Sequence, residues 1–353
     1  MKAAVYRGPG LFAVEDVPVP ETGPGELLVR VDACGVCVTD IKKIDKGLLS
    51  GPRVFGHEIA GTVARAGAGC AYREGDRVVV HHHIPCGNCF YCARLAYAQC
   101  EVYKKNGTTA GFEPSGGGFA EYVKAFDWIA ARGTIRIPDG VPPAVASFVE
   151  PVNTCLKAVR KAAVGRGETA LVVGQGQIGL LLMQLCRWSG AEVLTSDTLA
   201  DRLAMSRRLG AAAAFDALAE DVVKEARALT AGRGVDVAFV AAVGPQALDQ
   251  AVSATRPGGR IMVFAATSAG ETAEVDLGLL CTAEKDILTS YSASVEVQEL
   301  AAQLVFRGEV KVADLVTHRF PLGQAPQAVE LASKPAPGVL KVVIETGPGG
   351  EVR

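Results

Sequence analysis

Short apolar runs separated by turn-forming clusters fill the N-terminal part of the chain. Leu27–Val31, Ala60–Val63, Arg77–Val80 and Ala120–Val123 alternate with stretches such as Gly23-Pro24-Gly25-Glu26, Gly67-Ala68-Gly69-Cys70 and Pro114–Gly118. Runs of this length between turn signals predict a β-rich region with irregular loops. The pattern changes after Pro151. Leu171–Gly174 is a strand-like run followed by an apolar helix pattern at Ile178–Ser189, then by the strand Ala191–Asp197 and a helix over Leu199–Leu209. A short strand near Ala214, a charged helix at Asp221–Leu229, the strand Val235–Ala242, a helix near Ala247–Ala254 and the strand Arg260–Ala266 continue the alternation. Strands alternating with helices at this spacing predict a parallel, doubly wound sheet. From about Val295 the pattern is mixed again and ends in a strand at Leu340–Ile344, before a tail, Gly347–Arg353, expected to fray. The fold class expected is α/β, with one unit from residues 1–151 and 294–353 and a second from 152–293.

Composition narrows the function without naming it. The chain has 353 residues, 49% hydrophobic and 21% charged, which suits about two globular domains. Lys and Arg total 36 and Asp and Glu 38, and no basic run gathers, so a nucleic-acid footprint is not expected. No apolar stretch approaches the ~18–20 residues of a membrane span. The opening MKAAVYRGPG lacks the apolar core of a secretory signal, which favours a cytoplasmic protein. Ten cysteines in a chain of this kind read less as a disulfide framework than as metal ligands or free thiols.

Two local motifs carry chemistry. Gly174, Gly176 and Gly179, with Gln177 and Ile178 between them, follow a predicted strand and open a predicted helix. That context turns a common glycine pattern into a dinucleotide fingerprint, with the pyrophosphate on the helix N-terminus. Asp197 ends the next strand, where a carboxylate accepts from the ribose hydroxyls and repels a 2′-phosphate; NAD(H) is therefore expected, with Arg202 able to soften the preference. Asp197 also reads as a helix-capping residue, and the two roles are compatible. The second motif, Cys86-x2-Cys89-x2-Cys92-x7-Cys100, can close a tetrahedron around zinc with no open position, which makes that site structural. An iron–sulfur cluster is the rival occupant.

A third set is dispersed. Cys37 lies in CGVCVTD, His57 and Glu58 in FGHE, and Glu150 in FVEPVNT. Thiolate, imidazole and carboxylate are the mixed ligands of an open zinc site, yet spacing alone does not bring them together, and Cys37 by itself reads as a buried thiol. The order of CGVCVTD, GHE, the cysteine lobe, EP and VVGQGQIG resembles the zinc-dependent medium-chain alcohol dehydrogenase family, over nearly the whole chain and closest to its sorbitol and threonine dehydrogenase branch.

The resemblance implies a GroES-like catalytic domain beside a Rossmann domain, with one catalytic and one structural zinc per chain. It makes Cys37 and His57 catalytic zinc ligands. It gives Glu58 a direct or indirect role on the metal, and Glu150 the exchangeable or water-bridged position. It assigns Thr39 to the proton relay, Asp40 to steadying a ligand and Thr154 to the nicotinamide. The implied reaction is oxidation of a secondary alcohol, a polyol or sugar-derived hydroxyl, to a ketone by NAD+. A threonine 3-dehydrogenase-like activity and a non-catalytic NAD- and zinc-binding sensor are the alternatives. A homo-oligomer, tetramer before dimer, is expected through a coenzyme-domain edge near Ile261–Thr289.

Several positions depart from the family pattern. Lys42 stands where many members carry the histidine that ends the relay, and Leu95 replaces a glycine of the cysteine lobe. His81-His82-His83 is unusual. On a strand His81 and His83 would share a face, and His83 stands three residues before Cys86, a position held by an active-site histidine in threonine-dehydrogenase-like members. His318 reads as structural, and Phe55, Tyr91 and Phe112 as aromatic candidates for a pocket that is not purely polar.

Overall fold

The computed structural model describes residues 1–265, 270, 272–334 and 336–346, so the tail Gly347–Arg353 and the end of the strand expected at Arg260–Ala266 lie outside the described residues. Among those residues the chain divides into two compact units. The first comprises Met1–Asn153, Ala293–Gly308 and the segment from Val312, and the second Thr154–Ser292 with Glu309–Lys311.

The first unit contains strands β1 (Lys2–Gly8), β2 (Leu11–Asp16), β3 (Leu27–Gly35), β4 (Arg53–Val54), β5 (Glu58–Ala66), β6 (Arg77–His81), β7 (Thr108–Thr109), β8 (Tyr122–Ala125) and β9 (Thr134–Arg136). The second contains β10 (Thr169–Val173), β11 (Glu192–Asp197), β12 (Ala213–Asp216), β13 (Val235–Val240), β14 (Thr255–Val263) and β15 (Asp286–Thr289). Strands β16 (Val316–Pro321) and β17 (Lys341–Glu345) return to the first unit.

In that unit one sheet runs β16-β17-β3-β5-β6-β9, with β8 added beside β3 and β7 beside β8, and a smaller one runs β2-β1-β4. Their apolar faces close on one core that includes Val5, Tyr6, Leu27, Val29, Ile59, Phe119 and Val123. Strand β8 begins two residues later than the apolar run at Ala120–Val123, because Ala120 is spent on an isolated bridge to Ala3.

The second unit is the doubly wound sheet. Its order, β12-β11-β10-β13-β14-β15, is parallel at every step. Strands β10 and β13 are buried along almost their whole length, which is why they read as continuous apolar runs. The helix Gln177–Trp188 buries every residue from Gly179 to Cys186, as an apolar-all-round helix must. Asp221 caps the helix Val222–Leu229 by accepting from Lys224 N at 3.0 Å.

Candidate active site and metal centres

Strand β10 delivers the chain into a tight turn at Gly174, whose φ is +90°. A Cβ on Gly179 would stand 1.8 Å from the Gly174 carbonyl oxygen, so helix and turn approach as closely as only glycine permits. Gly176 caps the helix that follows. Asp197, at the end of β11, accepts from Gln175 N at 2.5 Å through Oδ2, and from Thr198 N at 2.8 Å and Leu199 N at 2.9 Å through Oδ1. It therefore ties the glycine turn to the start of the next helix, and Oδ2 retains a lone pair for a ribose hydroxyl. Arg202 places a guanidinium nitrogen 3.9 Å from Asp197 Oδ2 and 3.6 Å from the Cβ position of Gly176. Its Nε is buried without a partner. Helix N–H groups, a close glycine and a cation with a spare donor fit a pyrophosphate.

The four lobe thiols come together. The sulfurs of Cys86, Cys89, Cys92 and Cys100 lie within 4.8 Å of one another, Cys86 and Cys100 at 3.5 Å. None of the ten cysteines forms a disulfide among the described residues. Backbone donors at Glu101 and Cys92 pull Cys89 down to about 6, while burial first, and then the neighbouring thiols, push Cys92 up to about 12. Four thiols whose sulfurs stand this close fit a tetrahedral cation, with the protons released on binding. Leu95 adopts φ +58°, a conformation that glycine takes at less cost.

The dispersed set also converges. Cys37 precedes the helix Val38–Asp45, His57 leads into β5, and Glu58 is its first residue. One ligand atom from each of Cys37, His57 and Glu58 lies within 4.8 Å of the other two. Asp40, on the helix after Cys37 and 1% exposed, meets His57 Nδ1 at 3.1 Å. That contact fixes the ring and leaves Nε2 for a metal. Burial works against a charged His57, but Asp40 and Cys37 overcome it and hold the imidazole well above its usual range. Glu150, in the first turn of the helix Val149–Lys161, is outside the three-residue group. Burial, with Glu58 and Asp40 adding to it against His57 and Lys341, raises Glu150 to about 7.

Two residues at this site were not singled out by sequence pattern. Lys341, the first residue of β17, is fully buried; its Nζ forms an ion pair with Glu58 Oε2 and donates to Val36 O at 3.0 Å. A Cβ on Gly35 would stand 2.0 Å from Glu58 Oε2 and 2.6 Å from Lys341 Cε, so the pair occupies the space a side chain would fill. The signal was available: a lysine opening an otherwise apolar terminal strand. The second residue is His82. Strand β6 ends at His81, and the ring next to His57 is that of His82, with centroids 4.8 Å apart. His83 packs edge-on against His82 at 3.7 Å and Tyr103 at 3.5 Å. His81 and His83 instead line a small polar cavity with Tyr97, Asn153 and Ser294.

Thr39 is half-buried in the first turn of the helix Val38–Asp45, and Lys42 lies one turn further on. Thr154 is half-buried in the helix Val149–Lys161. Phe55 packs on Tyr6 at 5.5 Å and belongs to the core, as does Phe112 at its margin, while Tyr91 is exposed on the lobe against Phe90. His318 makes a local contact with Thr317 Oγ1 at 3.0 Å.

A dinucleotide cradle on one unit and an open thiolate–imidazole–carboxylate group on the other are the working parts of a metal-dependent nicotinamide dehydrogenase. Comparison with known proteins makes the class specific. Residues 23–139 match the alcohol dehydrogenase GroES-like domain, and residues 178–307 match the zinc-binding dehydrogenase domain. The chain is 30% identical to an L-threonine 3-dehydrogenase of Pyrococcus horikoshii, over 91% of each chain. It is 28% identical to a sorbitol dehydrogenase of Bacillus subtilis over 98% of this chain and 97% of that one. A zinc-binding dehydrogenase structure from Sinorhizobium meliloti 1021, solved with NADP, superposes with a TM-score of 0.87 at 32% identity over 98% of both chains. The chain belongs to the zinc-dependent medium-chain alcohol dehydrogenase family.

Proposed function

We propose that the protein oxidises a secondary alcohol, a polyol or sugar-derived hydroxyl, to a ketone, with NAD+ as acceptor and zinc at the Cys37–His57–Glu58 group. The convergence of those three ligand atoms from three separate segments carries the reading, because an open site of mixed thiolate, imidazole and carboxylate is a catalytic rather than a structural zinc pattern. When bound, zinc supplies a Lewis acid that acidifies a hydroxyl, and NAD+ supplies the hydride acceptor.

The chain's own residues do the rest. Asp40 holds His57 in the orientation that leaves Nε2 toward the metal. Lys341 pairs with Glu58 and tethers it, so Glu58 offers its carboxyl group at the site without a free choice of position. Glu150, drawn upward by burial, stands as the exchangeable group that takes or releases a proton as substrate enters. Thr39 is the hydroxyl that passes the alcohol proton outward, and Thr154 packs beside the nicotinamide. Asp197 selects NAD+ by accepting from the ribose and opposing a 2′-phosphate. The four-cysteine lobe holds the structural zinc.

Among the described residues no helix is long and apolar enough to cross a membrane. Ten cysteines with no disulfide among the described residues suit a reducing compartment, the cytoplasm. Strand β15 ends the parallel sheet with exposed Ile287, near exposed Leu277 and Leu279, and supports homo-oligomerisation, a tetramer by preference, through that edge. The test of the activity is NADH formation with a panel of polyols, sugars, threonine and simple secondary alcohols, in the wild type and in His57→Gln. Turnover of one alcohol class by the wild type, lost by at least a hundredfold in the variant while NADH binding persists, is the expected result. Bound NAD+ and zinc with no alcohol oxidised would favour the sensor.

A further inference from the structure

Glu150 is buried, and the charges that act on it are those of the metal group and its supports, His57 and Lys341 against Glu58 and Asp40. Among the described residues no hydrogen bond holds its carboxyl, so its place is set by the helix that carries it. Nearly one turn further along that helix, Asn153 is fully buried and forms a reciprocal pair with a segment 141 residues away. Its Nδ2 donates to Ser294 O at 3.0 Å, and its Oδ1 accepts from Ser294 N at 2.8 Å. Ser294 is itself held in a turn that leads to the helix Gln298–Phe306: its Oγ accepts from Glu296 N and donates to Glu296 Oε2, both at 3.3 Å. Residues three apart on a helix lie on one face, so a tie at Asn153 steadies the turn that presents Glu150. An uncharged amide suits the position, because one side chain must donate to a carbonyl and accept from an N–H at once.

We propose that Asn153 is a positioning residue: its amide clamp on Ser294 fixes the first turns of the helix Val149–Lys161 and so sets where Glu150 stands at the metal group. The inference rests on the dehydrogenase reading and deepens it, naming a residue that aligns the exchangeable carboxyl without touching substrate or cofactor. Loss of the clamp leaves a buried N–H and a buried carbonyl unpaired, and frees the helix end to shift. A misplacement on the order of 1 Å at such a group costs up to about 100-fold in rate.

The test uses the zinc-loaded wild type, Asn153→Asp, Glu150→Gln and the double variant, with the alcohol that the substrate panel identifies. Asn153→Asp keeps the shape of the side chain but sets an oxygen against the Ser294 carbonyl, and should lower kcat/KM by about tenfold. In the Glu150→Gln background the same change should cost less than about threefold, since a residue that acts through Glu150 has nothing left to align. Asn153→Ser, which opens both bonds by shortening the side chain, gives the same cycle should the first variant not fold. Two readouts stand apart from turnover. Hydrogen exchange at the Ser294 amide should quicken in Asn153→Asp, and zinc loss to a chelating indicator should quicken with it, yet be no faster in the double variant than in Glu150→Gln. Where Glu150→Gln is too slow for a kinetic cycle, the zinc-loss cycle decides. Equal effects of the Asn153 change with and without Glu150 would overturn the inference and leave the clamp a purely structural tie; unchanged kcat/KM with an unprotected Ser294 amide would overturn it too. If the wild type, with zinc and NAD+ bound, oxidises no alcohol of the panel, the dehydrogenase reading fails and the role of Asn153 with it; turnover by the wild type without coupling between the two residues leaves that reading standing and sinks only Asn153.

Discussion

Lys341→Met tests how the metal site is held in the fold. Lys341 is fully buried and Glu58 is 1% exposed, so the pair has no water to fall back on. Replacing the ammonium by a thioether of similar volume leaves the carboxylate of Glu58 buried with no cation beside it, and frees Val36 O from its donor. Breaking a buried pair in this way costs about 3–5 kcal/mol. At about 2–4 °C per kcal/mol for a unit of this size, the first unfolding transition should fall by roughly 6–20 °C. Glu58→Gln alone should be destabilising as well, since it strands Lys341. The double variant should recover most of the loss, because removing both charges also removes both desolvation costs. Differential scanning calorimetry of the four proteins, zinc-loaded and at one pH, reads the cycle. A drop below about 2 °C in Lys341→Met, or strictly additive losses in the double variant, would refute the pairing as the element that holds Glu58.

Three further outcomes follow from the geometry. Asp197→Ser should raise the KM for NAD+ by about 10–100-fold and narrow the preference over NADP+, as loss of charge-assisted hydrogen bonds predicts; unchanged discrimination would place the selection elsewhere. Cys92→Ser should reduce bound zinc from two ions per chain to one and open residues 86–100 to proteolysis, read by metal analysis and limited digestion. His81 is lowered to about 4 by burial, against an ordinary value of 6.5, so the folded state binds fewer protons than the unfolded one across that window. Its contribution is complete above about pH 6.5 and is lost as pH falls toward 4, worth on the order of 3 kcal/mol. His81→Leu should flatten that part of the stability–pH curve, and an equally steep acid loss in the variant would contradict the assignment.

Much of the fold was legible because its periodicities are strong. The parallel sheet announced itself through buried runs such as Leu171–Val173 and Val235–Val240, where both faces are covered and no alternation competes. The glycine turn and the cysteine lobe were legible because their chemistry is local, each motif lying within a few residues. The open metal group was not legible from spacing. Cys37, His57 and Glu58 meet only because β3 and β5 pair Gly35 with Glu58 and bring Cys37 over the same edge. Lys341 escaped notice because its partner is almost 300 residues away in the sequence, so no local spacing links the two. Alternation along a strand pointed to His81 and His83 together and passed over His82. The strand stops at His81, and beyond it the period of two no longer decides which ring turns toward His57. The aromatic residues Phe55 and Phe112 show the converse limit: apolar type alone does not separate a pocket wall from a core.

The most direct test of the account couples metal content to turnover. The enzyme is dialysed against chelator until the accessible zinc is gone, then titrated with zinc while NADH formation and bound metal are followed on the same samples. Activity should vanish with loss of one zinc per chain, return in proportion as that one is restored, and fail to return in Cys37→Ser despite a retained lobe zinc. Full activity persisting after the zinc at Cys37, His57 and Glu58 has been removed would contradict it.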